Sequence, residues 1–274
     1  MKSRRELLLT LPSLGWLGVF FALPCVLIVA LAFRESDLRG GVGEGWTLAT
    51  VRLLVEGDYL AVVWSTLWMS MVTTVLCMAL ALPVCWALAR MSAGWRQGVL
   101  LLVVVPFLTN FIIRIFAWRS LLHPEGVIKQ GLVWLGLATD DTMLLNNAGA
   151  VLLVMVYTQL PFAILPLYAA AEKFDFSLVD AARDLGATKW QAFRKVFIPG
   201  IWRGLISAVV IVFVCSLGQY VIPKFVGGTG NEMIGNKIEQ RAFSDRNLPL
   251  ASALSGALLL VVLVPTLLLG RRRE

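Results

Sequence analysis

The chain has 274 residues, 58% of them hydrophobic and 15% charged, with a net charge of +7. That balance excludes an ordinary soluble domain, and the excess charge does not require nucleic acid, because its distribution between apolar runs accounts for it. Apolar runs of about 20 residues, the length a bilayer core demands, divide the chain into membrane spans.

Met1-Lys-Ser-Arg-Arg is a positive start, but the apolar stretch Trp16 to Phe33 continues too far for a signal core and is expected to stay as the first helix. Six spans are predicted, at about 14–33, 61–89, 98–120, 148–170, 202–223 and 250–269, making an all-α integral membrane protein with a single transmembrane domain over 1–274. The second exceeds what a bilayer needs, so it is expected to tilt or project, bending near Pro83. With the N-terminus inside, inner segments hold 14 Lys and Arg against 10 outside, so both termini are placed in the cytoplasm. The outer connections are long. Arg34 to Leu60 predicts a surface loop with a short helix at Leu48–Val55, and Glu125 to Leu137 predicts a helix on the outer interface or packed over the bundle. Gly230 to Lys237 nearly imitates a phosphate loop, but Asn236 stands where glycine is required.

No phosphate loop, HExxH or nucleophile elbow occurs, so no catalytic residue is assigned and the chain is not expected to be an enzyme. The four cysteines lie in apolar runs as small hydrophobes, and the single histidine, His123, makes no metal site. Polar groups inside spans are costly and face a pathway or another helix. Asn110 and Arg114 lie four apart in the third span, which would put them on one helical face; Tyr157 and Gln159 sit in the fourth, Gln219 and Tyr220 near the outer end of the fifth. Thr66, Ser70, Thr73 and Thr74 along the second span are expected to serve helix packing. The middle of every span lacks Asp and Glu, which weighs against an ion-coupled carrier.

The polar stretch 171–201 between the fourth and fifth spans carries its own pattern. Ser177 is a candidate N-cap with Asp180 at capping-box spacing, Val179, Ala182 and Leu185 (with Leu178) recur at helical spacing, and Gly186 supplies a stop. Thr188 then caps a second helix, Lys189 to Phe197, with Trp190, Phe193 and Phe197 on one face, until Pro199 ends or kinks it. Asp180-Ala181-Ala182, three residues, Gly186, nine residues and Val-Phe-Ile-Pro199 resembles the EAA loop of ABC-transporter permeases, whose pattern is Glu-Ala-Ala, three residues, Gly, nine residues, Ile-x-Leu-Pro. Further likeness lies in Asn110 to Gly131, with Arg114, Ala117 and Trp118, and in Ser216 to Asn236. Both resemble the first permease subunit of spermidine/putrescine importers.

The resemblance implies a type I ABC importer permease of the bacterial inner membrane, translocating a small solute, with polyamines first and opines, phosphonates or iron as alternatives. It implies a second permease chain, a different one or a second copy of this one, two cytoplasmic ATPase subunits carrying ATP and Mg, and a soluble periplasmic solute-binding protein. This chain itself would bind no cofactor, metal or nucleic acid, and lipid would surround it. Asp180, Ala181, Ala182, Leu185, Gly186 and Pro199 would couple to an ATPase, and Asn110, Arg114, Trp118, Tyr157, Gln159, Gln219 and Tyr220 are the candidate path. Gln219 stands where some polyamine permeases carry an acid, and aromatic faces would offer an ammonium group about 0.5–2 kcal/mol instead.

Overall fold

The computed structural model describes residues 2–37, 41–56, 59–139 and 141–271. In chain order, α1 (Lys2–Leu17) passes through a wide turn, Gly18–Ala22, into α2 (Leu23–Leu31), and a hairpin of β1 (Arg34–Ser36) and β2 (Val42–Trp46) follows. Then come α3 (Ala49–Glu56), α4 (Tyr59–Arg90), α5 (Ala93–Leu108), α6 (Phe111–Leu122), α7 (Val127–Trp134) and α8 (Ala148–Ala171). The stretch after the fourth span gives α9 (Ser177–Asp184), α10 (Lys189–Ala192), a wide turn at Phe193–Phe197 and α11 (Ile198–Gly200). Last are α12 (Trp202–Leu217), α13 (Ile234–Glu239) and α14 (Leu248–Arg271).

Three helical stretches are long and apolar enough to cross a bilayer: Thr10–Leu31, α4 and α8. Two more pass only as bent pairs. Ala93–Leu108 and Phe111–Trp134 meet at 95°, and Lys189–Gly200 and Trp202–Leu217 at 76°. Leu248–Leu263 is a shorter apolar helix. The continuous helix expected over 98–120 is therefore broken at Thr109–Asn110. Pro106 provides the break: Thr109 turns back on it, donating to the Pro106 carbonyl from its N–H (3.4 Å) and its hydroxyl (2.6 Å). The helix expected over 202–223 stops at Leu217 because Gly218, Gln219 and Tyr220 leave the helical path before a new turn forms at Pro223–Gly227.

The chain forms two compact units, Met1–Val63 with Ile234–Glu274, and Trp64–Met233. In the first, α14 packs against α2, α3 and α13. Its antiparallel hairpin, pairing Arg34 with Trp46 and Ser36 with Val42, stands where only a loop and a helix were expected. The Arg34 guanidinium lies 5.0 Å from the Trp46 ring centre and donates to the Glu44 carbonyl at 2.6 Å. The expected helix after it forms as α3. Gly40 lies outside the described residues.

The second unit holds the larger core. α12 lies along α8, and Gly204 lets the two backbones approach, since a Cβ there would collide with Ala170. One apolar cluster joins Cys77, Ala81 and Cys85 of α4 to Ile164 and Leu167 of α8 and Ala208 and Val212 of α12. Another joins Met69, Ile115 and Val154 to Ile222, Val226 and Met233. The hydroxyls along α4 serve packing as expected. Thr66, Ser70, Thr73 and Thr74 are all buried, and Thr74 returns its proton to the Ser70 carbonyl at 2.7 Å. Cys77 and Cys85 are buried hydrophobes, whereas Cys215 is exposed.

Candidate functional site: the segment 171–201 and the polar set of the spans

The segment 171–201 folds as two short helices on an aromatic base. α9 begins one residue inside the expected cap. Ser177 is already helical, and the Asp175 carboxylate accepts its N–H at 3.0 Å, so the capping box of Ser177 with Asp180 does not form. Hydrogen bonding from the Ser177 side chain first, and from its N–H second, holds the Asp175 carboxyl below the usual carboxylate range. The next N–H groups, of Leu178, Val179 and Asp180, reach the carbonyls of Asp175 and Phe176. At the other end Gly186 takes φ +90°, a left-handed conformation that suits glycine. Ala187 N–H bonds back to Ala182 O (3.0 Å) and Gly186 N–H to Arg183 O (2.9 Å), the paired closure of a Schellman motif. Thr188 caps α10 as expected, in a full capping box with Gln191.

The apolar face expected on α9 is divided. Val179 is fully buried, but Leu178 is 53% and Leu185 90% exposed. Leu185 is the helix's C-cap, past the last full turn, so its side chain swings away from the base. Asp180 is exposed and its carboxylate stands 3.5 Å from the Arg90 guanidinium at the end of α4. Ala181 is exposed beside it and Ala182 half-buried. Pro199 is exposed, and the chain's bend falls at Ile201, two residues after it.

Beneath α9 and α10 lies the aromatic base. Trp86 of α4 meets the rings of Phe197, Phe193 and Phe176 edge-on at centre distances of 4.7, 5.3 and 5.6 Å. Phe174 meets Phe176 and Phe197 at 5.2 and 5.4 Å, and fits because Gly200 has no Cβ to strike its ring. Trp190 stacks on Phe193 as the sequence implied. Sequence reasoning missed Trp86, Phe174, Phe176 and Arg90. The available signal was Trp86 and Arg90 four apart at the very end of a span.

The polar set of the spans is less closed. Asn110 and Arg114 do not share a helical face, because Asn110 is the N-cap of α6, its side chain accepting the Ile112 N–H at 2.8 Å. Arg114 is held between rings, 4.9 Å from the centre of Phe107 and 5.7 Å from that of Phe111. Its Nε and Nη1 are buried and have no hydrogen-bond partner. Trp118 and Tyr157 meet edge-on at 5.3 Å, which brings α6 to α8. Gln159 is buried at 2% exposure. Gln219, half-buried, and Tyr220, exposed, lie in the break after α12 rather than on a helix. Among the described residues, no cluster of His, Cys, Asp or Glu could hold a metal ion.

This backbone is that of an importer permease. A bacterial ABC transporter that imports the acidic polysaccharide alginate matches it with a TM-score of 0.75 at 17% identity, covering 99% of this chain and 98% of that one. The alginate transporter in complex with its pentasaccharide-bound periplasmic protein gives 0.73 at 18% identity, over 97% and 93%. The model of the binding-protein-dependent transport system inner membrane component matches residues 6–271, and the chain belongs to that family. Among its relatives, the spermidine/putrescine transport system permease protein PotB of Escherichia coli K12 is 34% identical over 248 residues, 90% of each chain. Its Haemophilus influenzae counterpart is 34% identical over 88% of this chain and 84% of its own. An Escherichia coli inner membrane ABC transporter permease protein, YdcU, is 31% identical over 96% of this chain and 86% of its own. The chain is thus an ABC importer permease of the inner membrane, with the type I fold.

Proposed function

We propose that this permease imports polyamines such as putrescine and spermidine by alternating access, paired with a second permease chain and driven by two cytoplasmic ATPases that carry ATP and Mg. The observation that carries the substrate is the 34% identity to a spermidine/putrescine permease across 90% of both chains. Each bent pair would count as one span, giving six with Thr10–Leu31, α4, α8 and Leu248–Leu263, both termini in the cytoplasm. A periplasmic binding protein would deliver solute at the opposite face.

Coupling would run through α9. A partner's groove takes a helix by its exposed apolar side chains, and Leu178 and Leu185 are exposed while Ala181 allows close approach. The turn at Gly186 and the bond between Asp180 and Arg90 would tie that helix to α4, with Ala182 at its base and Pro199 beyond the second helix. For the path, Trp118, Tyr157 and Tyr220 would offer aromatic faces to ammonium groups, with Gln159 and Gln219 as neutral acceptors. Asn110 would hold the α6 terminus in place. Arg114 keeps two buried nitrogens, Nε and Nη1, unbonded, which suits an acceptor from the second permease chain.

The test is uptake of radiolabelled putrescine and spermidine by cells with and without this chain, competed with a panel of small solutes. Polyamine uptake lost on deletion and restored by the intact chain is expected. Unchanged polyamine uptake, with import of another solute lost instead, would remove the polyamine assignment.

A further inference from the structure

A cavity of about 480 Å³ opens between the end of α4 and the segment that carries α9 and α10. Three basic side chains line it, Arg90, Arg183 and Lys189, and no acidic one does. The nearest carboxylate, Asp180, stands 3.5 Å from Arg90, and Asp184 lines a neighbouring cavity. Among the described residues, Arg183 and Lys189 make no ion pair. With Arg90 paired to Asp180, the site keeps an excess of positive charge through Arg183 and Lys189.

Its remaining wall is apolar. Pro83, Trp86, Trp190 and Phe193 line the same space. Pro83 is seven residues before Arg90 on α4, about 10 Å along the axis at 1.5 Å per residue. Arg90 is the first charged residue of α4 after 31 uncharged ones, so the apolar length of the helix ends there and Pro83 lies inside it. Arg90 is also fixed in direction, with its guanidinium 4.8 Å from the Trp86 ring centre and 5.2 Å from that of Phe176. Cations thus stand at the surface with an aromatic slot running from them into the bilayer. Tryptophan favours that interfacial depth, and basic pockets between spanning helices suit phospholipid head groups. An acidic loop of a soluble partner would use the cations but would have no use for a slot at hydrocarbon depth.

We propose that this cavity is a seat for an anionic glycerophospholipid, its phosphate held by Arg90, Arg183 and Lys189 and an acyl chain laid along Trp86 toward Pro83. The lipid then stands between α4 and α9 and makes their spacing sensitive to membrane composition. Nothing in this depends on which solute is carried.

The test is native mass spectrometry of the importer purified through this chain in mild detergent, titrated with phosphatidylglycerol, phosphatidylcholine and glycerol 3-phosphate. Phosphatidylglycerol should be retained in preference to phosphatidylcholine, and glycerol 3-phosphate should not displace it. R183Q and K189Q should each weaken retention about fivefold, as expected for one basic residue at a membrane surface. Equal retention of the two lipids by the unaltered chain would overturn the proposal, and that comparison needs no variant to fold. Displacement by glycerol 3-phosphate would also overturn it, in favour of a water-soluble phosphate, as would chemical cross-links placing an ATPase residue inside the cavity.

Discussion

The segment 171–201, proposed to couple to an ATPase, and the polar set of the spans lie in the same compact unit and are built by opposite rules. At the coupling end, helix termini are closed by side-chain and backbone bonds, and one tryptophan meets three phenylalanines. In the polar set of the spans, helices break at Asn110 and after Leu217, and Arg114 keeps two buried nitrogens unbonded. A surface that transmits force gains from having one conformation, because any slack absorbs the stroke. A path that opens and closes gains from breaks and unfilled bonds, because these yield at low cost.

The contrast breaks most sharply at Trp86. Trp86 is half-buried, so removing its ring costs somewhat less than the roughly 3–5 kcal/mol of a fully buried one. W86A should therefore loosen the whole segment, abolish uptake and speed protease cleavage between residues 173 and 200. Intact uptake would show that the aromatic base is not what stiffens the coupling end. G186V comes next. A β-branched residue in the left-handed conformation costs about 1–2 kcal/mol, enough to unwind the turn without preventing membrane insertion. At least a tenfold loss of uptake at normal membrane abundance is expected, and normal uptake would remove the coupling assignment.

Arg114 sharpens the other side. R114M replaces a buried, partly unbonded cation with an apolar side chain of similar length, so the thermal midpoint should hold or rise by a few degrees while uptake falls. A lowered midpoint with unchanged uptake would make Arg114 a packing residue. The smallest effect concerns Asp175. Its carboxyl is held low in the folded state by Ser177, so its contribution is present above the usual carboxylate range and lost as pH falls through the lowered value. D175N should flatten that acid limb slightly in a stability profile against pH. An identical profile would mean the cap is dispensable.

Much of the coupling segment was legible because its rules are local. Gly186, Thr188 and the Trp190–Phe193–Phe197 face follow from turn chemistry and helical spacing. The aromatic base was not legible, since Trp86 lies about 90 residues from Phe176 in sequence and only tertiary packing joins them. Leu185 was misplaced because helical spacing assumes a continuing helix, and this residue is the C-cap. The break at Asn110 was hidden by an apolar run that hydropathy reads as continuous, although Pro106 followed by Thr109-Asn110 is a helix-stop and cap pattern. The hairpin at 34–46 escaped because glycine-rich strands carry little alternation.

The closure of α9 has one more consequence. Its first four N–H groups and the carbonyls of Ala181, Ala182 and Arg183 are all satisfied within the chain, so its backbone has little left to offer another molecule. Recognition is left to a few protruding side chains, chiefly Leu178, Ala181 and Leu185. Those can be exchanged without disturbing the helix that presents them. On the proposed coupling role, related importers sharing one membrane would keep a common joint while changing its key, and so avoid assembling with one another's motors.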